Sequence, residues 1–185
     1  IDMATGSALL FNIKLPKNFD SPFKSTNMIN FWQRWHITLS NFLMNYIYFP
    51  WLKYLREITF IKSMIATFFV FIIAGIWHGP SWLYVIFGTL HGIGLIINHT
   101  FNRYSNFSLN RYLAWFLTFN YVNITLIFFR SKTIESSIDI IKGMTGLNEI
   151  EWNLLLDKDF FLILIFLLAV IITFCFKNSS FLVEN

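Results

Sequence analysis

Seventeen consecutive residues, Phe160–Phe176, carry no charge, and Thr173 is the only hydroxyl among them. A helix needs about 20 apolar residues to cross a bilayer core, within a range of roughly 17–25. A run like this is read as a membrane span. Three further apolar stretches precede it: Ser63–Trp77, which can extend back to Ile58, Pro80–Asn98 and Tyr112–Phe129. The first is short and stops at His78-Gly79-Pro80, so its turn is expected within the membrane. Irregular backbone at that depth is tolerated only where protein or a water-filled cavity surrounds it. Spans are therefore expected near 58–77, 80–98, 112–129 and 160–176, in an all-α, multi-span transmembrane fold.

Composition removes the competing classes. Hydrophobic residues make up 56% of the chain and charged residues 13%, about half the charge of an ordinary soluble domain. A soluble domain of ~150 residues leaves about 30% of its unfolded surface exposed, too much to hide this apolar content. Disordered chains are polar and charged, unlike this one. Cys175 is the only cysteine, which excludes an internal disulfide scaffold. The net charge of +4 is scattered, so no nucleic-acid partner is expected. The chain opens Ile1-Asp2-Met3 with no basic segment ahead of an apolar one, which predicts no signal peptide here. It reads as the C-terminal piece of a longer protein, although a proteolytic start fits equally.

The remaining segments are more polar. Residues 1–30 read as a helix end, Ile1–Phe11, then an exposed loop, Asn12–Ser25, broken by Pro16 and Pro22 and kept at water by Lys14, Lys17 and Lys24. Thr26-Asn27 is placed to cap a helix starting near Met28. Residues 31–50 read as an amphipathic helix, interfacial or re-entrant. Phe31, Trp35, Leu39, Phe42, Leu43, Tyr46 and Ile47 recur there at three- and four-residue spacing. Pro50 is expected to end it, and Trp51–Lys62 follows as a short basic connection. Ser136–Met144 reads as a second amphipathic helix, with Ile138, Ile141 and Met144 on its apolar face and Gly143 and Gly146 ending it. Six Lys and Arg fall on one side of the spans and four on the other. The positive-inside rule then puts the C-terminal tail in the cytoplasm and points the His78 turn outwards.

With so few ionisable groups, the four histidines stand out, because ionisable groups within membrane segments are costly and often functional. His78 sits in Gly75-Ile76-Trp77-His78-Gly79-Pro80, with Trp77 as a flat wall beside it. It reads equally as a catalytic base or as a buried, hydrogen-bonded histidine. His91 lies in Gly88-Thr89-Leu90-His91-Gly92, where the Gly88/Gly92 spacing permits close helix packing. That favours an interhelical hydrogen bond for His91. His36 follows Arg34 and Trp35, and either positions a polar group at the interface or faces water. His99, between Asn98 and Thr100, reads as a solvated residue at a span end. No metal site is expected, since the histidine spacings match no common ligand pattern and Glu57 is the only acid between Asp20 and Glu135. There is no G-x-S-x-G elbow, P-loop or dinucleotide fingerprint. Any reaction must rest on a histidine base acting on a substrate hydroxyl.

These motifs resemble a family. Phe31-Trp32-Gln33-Arg34-Trp35-His36-Ile37-Thr38-Leu39-Ser40 is similar to the F-W-x-R-W-H-x-[ST]-L-S signature of membrane-bound O-acyltransferases, and closest to the bacterial alginate O-acetylation branch. Asn45-Tyr46-Ile47-Tyr48-Phe49-Pro50 resembles its D-Y-[LI]-Y-[IF]-P. Gly75-Ile76-Trp77-His78-Gly79 and Gly88-x-x-His91-Gly92 resemble its G-x-W-H-G…G-x-x-H-G. Phe128-Phe129-Arg130-Ser131, with Lys142-Gly143-Met144, is similar to the end of its catalytic region. Asp2-Met3-Ala4-x-Gly6 and Leu15-Pro16-x-Asn18-Phe19 also have counterparts, so the likeness covers nearly the whole of 1–185. Two departures stand out: Met44-Asn45 replaces an Arg-Asp pair, and Trp51-Leu52-Lys53 replaces a Gly-rich loop.

The resemblance implies that His78 is the general base and that His36 lies along the same reaction chamber. His91 would be a further family histidine with a less defined role, and Trp77, Trp35 and Arg34 would support or line the channel. It implies a bacterial inner-membrane, multi-pass O-acetyltransferase acting on a secreted, alginate-like polysaccharide. No cofactor is bound in such an enzyme. An acyl donor such as acetyl-CoA or an acylated carrier arrives from the cytoplasm, and the acceptor from outside. A periplasmic acetyltransferase or export-complex protein is the expected partner beside the lipid bilayer. The N-terminal spans of the family are absent from this chain, so the piece alone is expected to be inactive. The alternatives are D-alanyl transfer to teichoic acid and a non-catalytic scaffold of an export complex. A transporter would call for broken-helix repeats, and the sequence has none.

Overall fold

A computed structural model describes residues 2–147 and 160–176, and all regular structure among them is helical. The elements are α1 (Asp2–Leu10), α2 (Met28–Arg34), α3 (Ile37–Leu43), α4 (Phe49–Tyr54), α5 (Phe60–Trp77), α6 (Trp82–Tyr104), α7 (Arg111–Arg130), α8 (Ile134–Met144) and α9 (Phe160–Cys175). Among the described residues, α5, α6 and α7 are long and apolar enough to cross a membrane. α9 is apolar throughout and has 16 residues among the described residues.

α5 shows why the chain needs lipid. Ile61, Ile65, Phe69, Ile73 and Ile76 lie exposed along one side, while Ala66, Val70 and Ala74 are buried on the other. Both sides are apolar, and among the described residues only the packing side is covered by protein. α5 and α6 make the most extensive helix contact of the fold. A Cβ on Gly75 would strike the Tyr84 carbonyl of α6, and one on Gly88 would strike the Phe71 carbonyl of α5. The two backbones therefore meet directly, as the small-residue spacing predicts. Phe68 faces Gly92, Phe71 faces Gly88 and Gly75 faces Tyr84, which makes the pair antiparallel. α7 returns antiparallel to α6, with the Tyr121 hydroxyl donating to the Leu90 carbonyl at 2.6 Å.

The segment 31–50 is not one helix. α2 starts as expected, with Asn27 capping it by accepting from the Asn30 N–H at 2.8 Å. It stops at Arg34, and His36 takes a left-handed backbone (φ 44°, ψ 54°) before α3 begins. α3 then widens into a π-helical turn, Met44–Tyr48, and runs on into α4. Pro50 lies in the first turn of α4 and does not end a helix. Pro50 follows directly on the π turn, where the regular i→i−4 bonding is already displaced, so the run passes through it. Asn45, where the family pattern has its acid, sits within the π turn.

Other boundaries also shift. α6 extends past Asn98 to Tyr104, so His99 is a half-buried residue within a helix and not a span terminus. Backbone hydrogen bonding carries the helix beyond the apolar run. α8 continues through Gly143, and Gly146 (φ 72°) ends it. The Leu147 N–H returns to the Lys142 carbonyl and the Gly146 N–H to the Gly143 carbonyl, a left-handed helix stop. In α8, Ser137 is fully buried while Ile138 and Met144 are exposed. The small serine lets α8 press on α7, displacing the expected apolar face. Pro22 and Ser25 of the expected exposed loop are buried as well.

Candidate active site

His78 lies where α5 ends, in the short turn that leads into α6. Its N–H closes that turn on the Gly75 carbonyl at 3.0 Å. The imidazole sits among aromatic rings. Phe129 of α7 meets it edge-on at 4.9 Å between centroids, and Trp77 at 4.9 Å. Phe87 and Tyr84, one turn apart on α6, complete the surround at 6.0 and 6.2 Å. These rings give His78 a largely apolar lining, and the residue is half-buried among them. Among the described residues, none hydrogen-bonds to the ring.

His36 comes from the turn between α2 and α3. Its ring contacts Trp77 edge-on at 6.5 Å and Phe19 at 5.7 Å. The structure thus brings His36 and His78, 42 residues apart in sequence, against one indole. Trp77 is itself 63% exposed, so the pair opens to the surface on that side. His36 Nδ1 is buried and has no hydrogen-bond partner among the described residues. Burial lowers the pKa of both histidines from the ordinary value near 6.5. For His78, the positive charge of a protonated His36 lowers it further. Near pH 7 both rings are then neutral, the form in which an imidazole can accept a proton.

His91 belongs to a different place. It is 1% exposed and lies between α2, α6 and α7. Trp32 Nε1 donates to His91 Nδ1 at 3.2 Å, and His91 Nε2 lies 2.9 Å from Thr125 Oγ1. Phe31 stacks on it and Phe87 meets it edge-on. This is the interhelical hydrogen bonding that the glycine-lined setting suggested. Trp35 packs on Phe19 and Phe31 within the same aromatic core. Arg34 turns to the loop before α2, donating to the Asp20 carbonyl at 3.2 Å and to Asn30 Oδ1 at 3.1 Å. Neither side chain approaches His78 by any described contact.

Several neighbours were not singled out from the sequence. Tyr84 and Phe87 share a helical face with Gly88 and His91, a spacing readable only once α6 is drawn. Thr125 had no signal at all. Phe129 stood within the Phe128-Phe129-Arg130-Ser131 motif but without a role. Among the described residues, no three His, Cys, Asp or Glu side chains gather as a metal site.

Fold and site together define an all-α membrane protein with a histidine pair in an aromatic surround at the end of a helical hairpin. The chain belongs to the MBOAT, membrane-bound O-acyltransferase, family, whose model matches residues 2–138. It is 39% identical over 207 aligned positions to a peptidoglycan O-acetyltransferase of Helicobacter pylori, covering 100% of this chain and 39% of that protein. It is 33% identical to a probable alginate O-acetylase of Pseudomonas aeruginosa, over 77% of this chain and 27% of that one. A teichoic acid D-alanyltransferase of Bacillus subtilis is 30% identical over 70% of this chain and 36% of its own length. The chain therefore spans well under half the length of these curated relatives.

Proposed function

We propose that the protein is the C-terminal catalytic part of an O-acyltransferase, moving an acetyl group onto a hydroxyl of an envelope polysaccharide. The observation that carries this reading is the meeting of His36 and His78 at Trp77, with both pKa values lowered. Neutral His78 removes the proton of the acceptor hydroxyl while that oxygen attacks the acyl carbonyl of a thioester. The new O–C bond forms, the C–S bond breaks, and the thiolate leaves to be protonated. General-base assistance of this kind contributes about 10²–10⁴-fold to rate. Phe87 and Phe129 wall the inner side of His78, and the exposed Trp77 side is where a substrate reaches it.

Acetyl-CoA or an acylated carrier serves as co-substrate, with no resident cofactor. The relatives named for peptidoglycan and alginate support a carbohydrate acceptor. The setting is a bacterial inner membrane, crossed several times, with an export-complex or periplasmic acetyltransferase as partner. Deleting the gene and hydrolysing the esters of the envelope polymers tests this reading. Loss of ester-linked acetate is expected. Loss of ester-linked D-alanine instead would support D-alanyl transfer, the activity named for the Bacillus relative.

A further inference from the structure

His36 is one of three non-glycine residues with positive φ among the described residues. It precedes α3, yet its own side chain makes no cap to that helix. The first N–H groups of α3 are satisfied from elsewhere. The Ile37 N–H donates to the Asn18 carbonyl at 2.9 Å. Asn18 Oδ1 accepts twice from Thr38, from its N–H at 3.1 Å and from its hydroxyl at 2.9 Å. On the other side of His36, the Asp20 N–H donates to the Arg34 carbonyl at 2.9 Å, and Arg34 Nη1 returns to the Asp20 carbonyl at 3.2 Å. Between these ties the Phe19 ring lies against both Trp35 and His36. Residues 18–20 therefore fasten the chain immediately before and after His36.

That arrangement frees the His36 side chain from capping duty and fixes its direction. A left-handed backbone is unfavourable for an L-residue and persists only where the surroundings over-determine it. We infer that Asn18 is a positioning residue that holds the His36 turn, and through it the His36 ring, against Trp77. The side chain acts through one acceptor atom, Oδ1, so aspartate can replace it and alanine cannot. The inference rests on the reading of His36 and His78 as the reacting site.

The test compares Asn18→Ala and Asn18→Asp in the intact membrane protein. One readout is independent of activity: the rate at which diethyl pyrocarbonate labels His36, followed by mass spectrometry. The other is the initial rate of ester formation from radiolabelled acetyl-CoA in isolated membranes. Asn18→Ala should label several-fold faster at His36. Its maximal rate should fall about 10–100-fold, the scale of a small misplacement of a reacting group. The KM for acetyl-CoA and the amount of inserted protein should be unchanged. Asn18→Asp should match the native protein in both readouts. Asn18→Ala combined with His36→Ala should be no slower than His36→Ala alone. Unchanged labelling, or a rate loss that Asn18→Asp shares, overturns the assignment. If His78→Ala leaves ester formation intact, the reading of His36 and His78 as the reacting site fails instead, and the labelling comparison still decides the role of Asn18.

Discussion

The Trp32 indole N–H donates to Nδ1 of His91 at 3.2 Å, and this fixes where the histidine carries its proton. With Nδ1 accepting, the neutral ring is protonated at Nε2 and donates to Thr125 Oγ1 at 2.9 Å. Thr125 passes the sequence on to the Val122 carbonyl at 2.7 Å. Each group has one role, so the chain of bonds runs in one direction from α2 through α6 to α7.

A fully buried, fully satisfied histidine is a strut. His91→Leu leaves the Trp32 N–H without its acceptor, at a cost of about 1–3 kcal/mol, while the Thr125 hydroxyl keeps its bond to the Val122 carbonyl. A lower unfolding midpoint in detergent is expected, with ester transfer per folded molecule largely kept. An unchanged midpoint combined with lost transfer would instead make His91 part of the chemistry.

The left-handed turn at His36 predicts an exchange of stability for function. A Cβ there costs roughly 1–2 kcal/mol relative to a comfortable backbone, and glycine avoids most of it. His36→Gly should therefore be more stable than His36→Ala by about 1 kcal/mol, although both lose the imidazole and transfer poorly. Thermal unfolding of the two variants side by side checks this, and an alanine variant of equal or greater stability would remove the argument for strain.

The pH dependence follows from the lowered pKa values of His36 and His78. The base must be neutral, so the rate should fall on the acid side with a midpoint below the ordinary 6.5. Removing His36 removes its charge from beside His78, so His36→Ala should move that midpoint upwards, towards 6.5. Stability carries the same sign. Between the lowered folded values and the unfolded value near 6.5, the unfolded chain binds more protons. The contribution is thus complete above about pH 6.5 and is lost as pH falls through the folded values. A pH–rate profile with its acid limb above 6.5 would contradict the assignment.

Much of this was legible before the fold. The apolar runs marked α5, α6 and α7, and the Gly88/Gly92 spacing foretold the backbone contact with α5. The resemblance implied that His36 lies along the same chamber as His78, and in the structure both rings touch Trp77. What periodicity could not show was the break at His36. Phe31, Trp35 and Leu39 keep helical spacing across it, yet the hydrogen bonds at that point go to Asn18 and Asp20. Such contacts are set by chain crossings, which a one-dimensional pattern does not contain. The burial of Ser137 in place of Ile138 was hidden for a similar reason, since α8 packs by closeness to α7 rather than by apolar area.

The most direct test is His78→Ala in the full-length protein, reading ester-linked acetate on the envelope polymer beside the amount of protein inserted. The account predicts that acetate disappears, or falls by at least about 10²-fold, while insertion is unchanged. Normal acetylation by the variant would show that His78 is not the base.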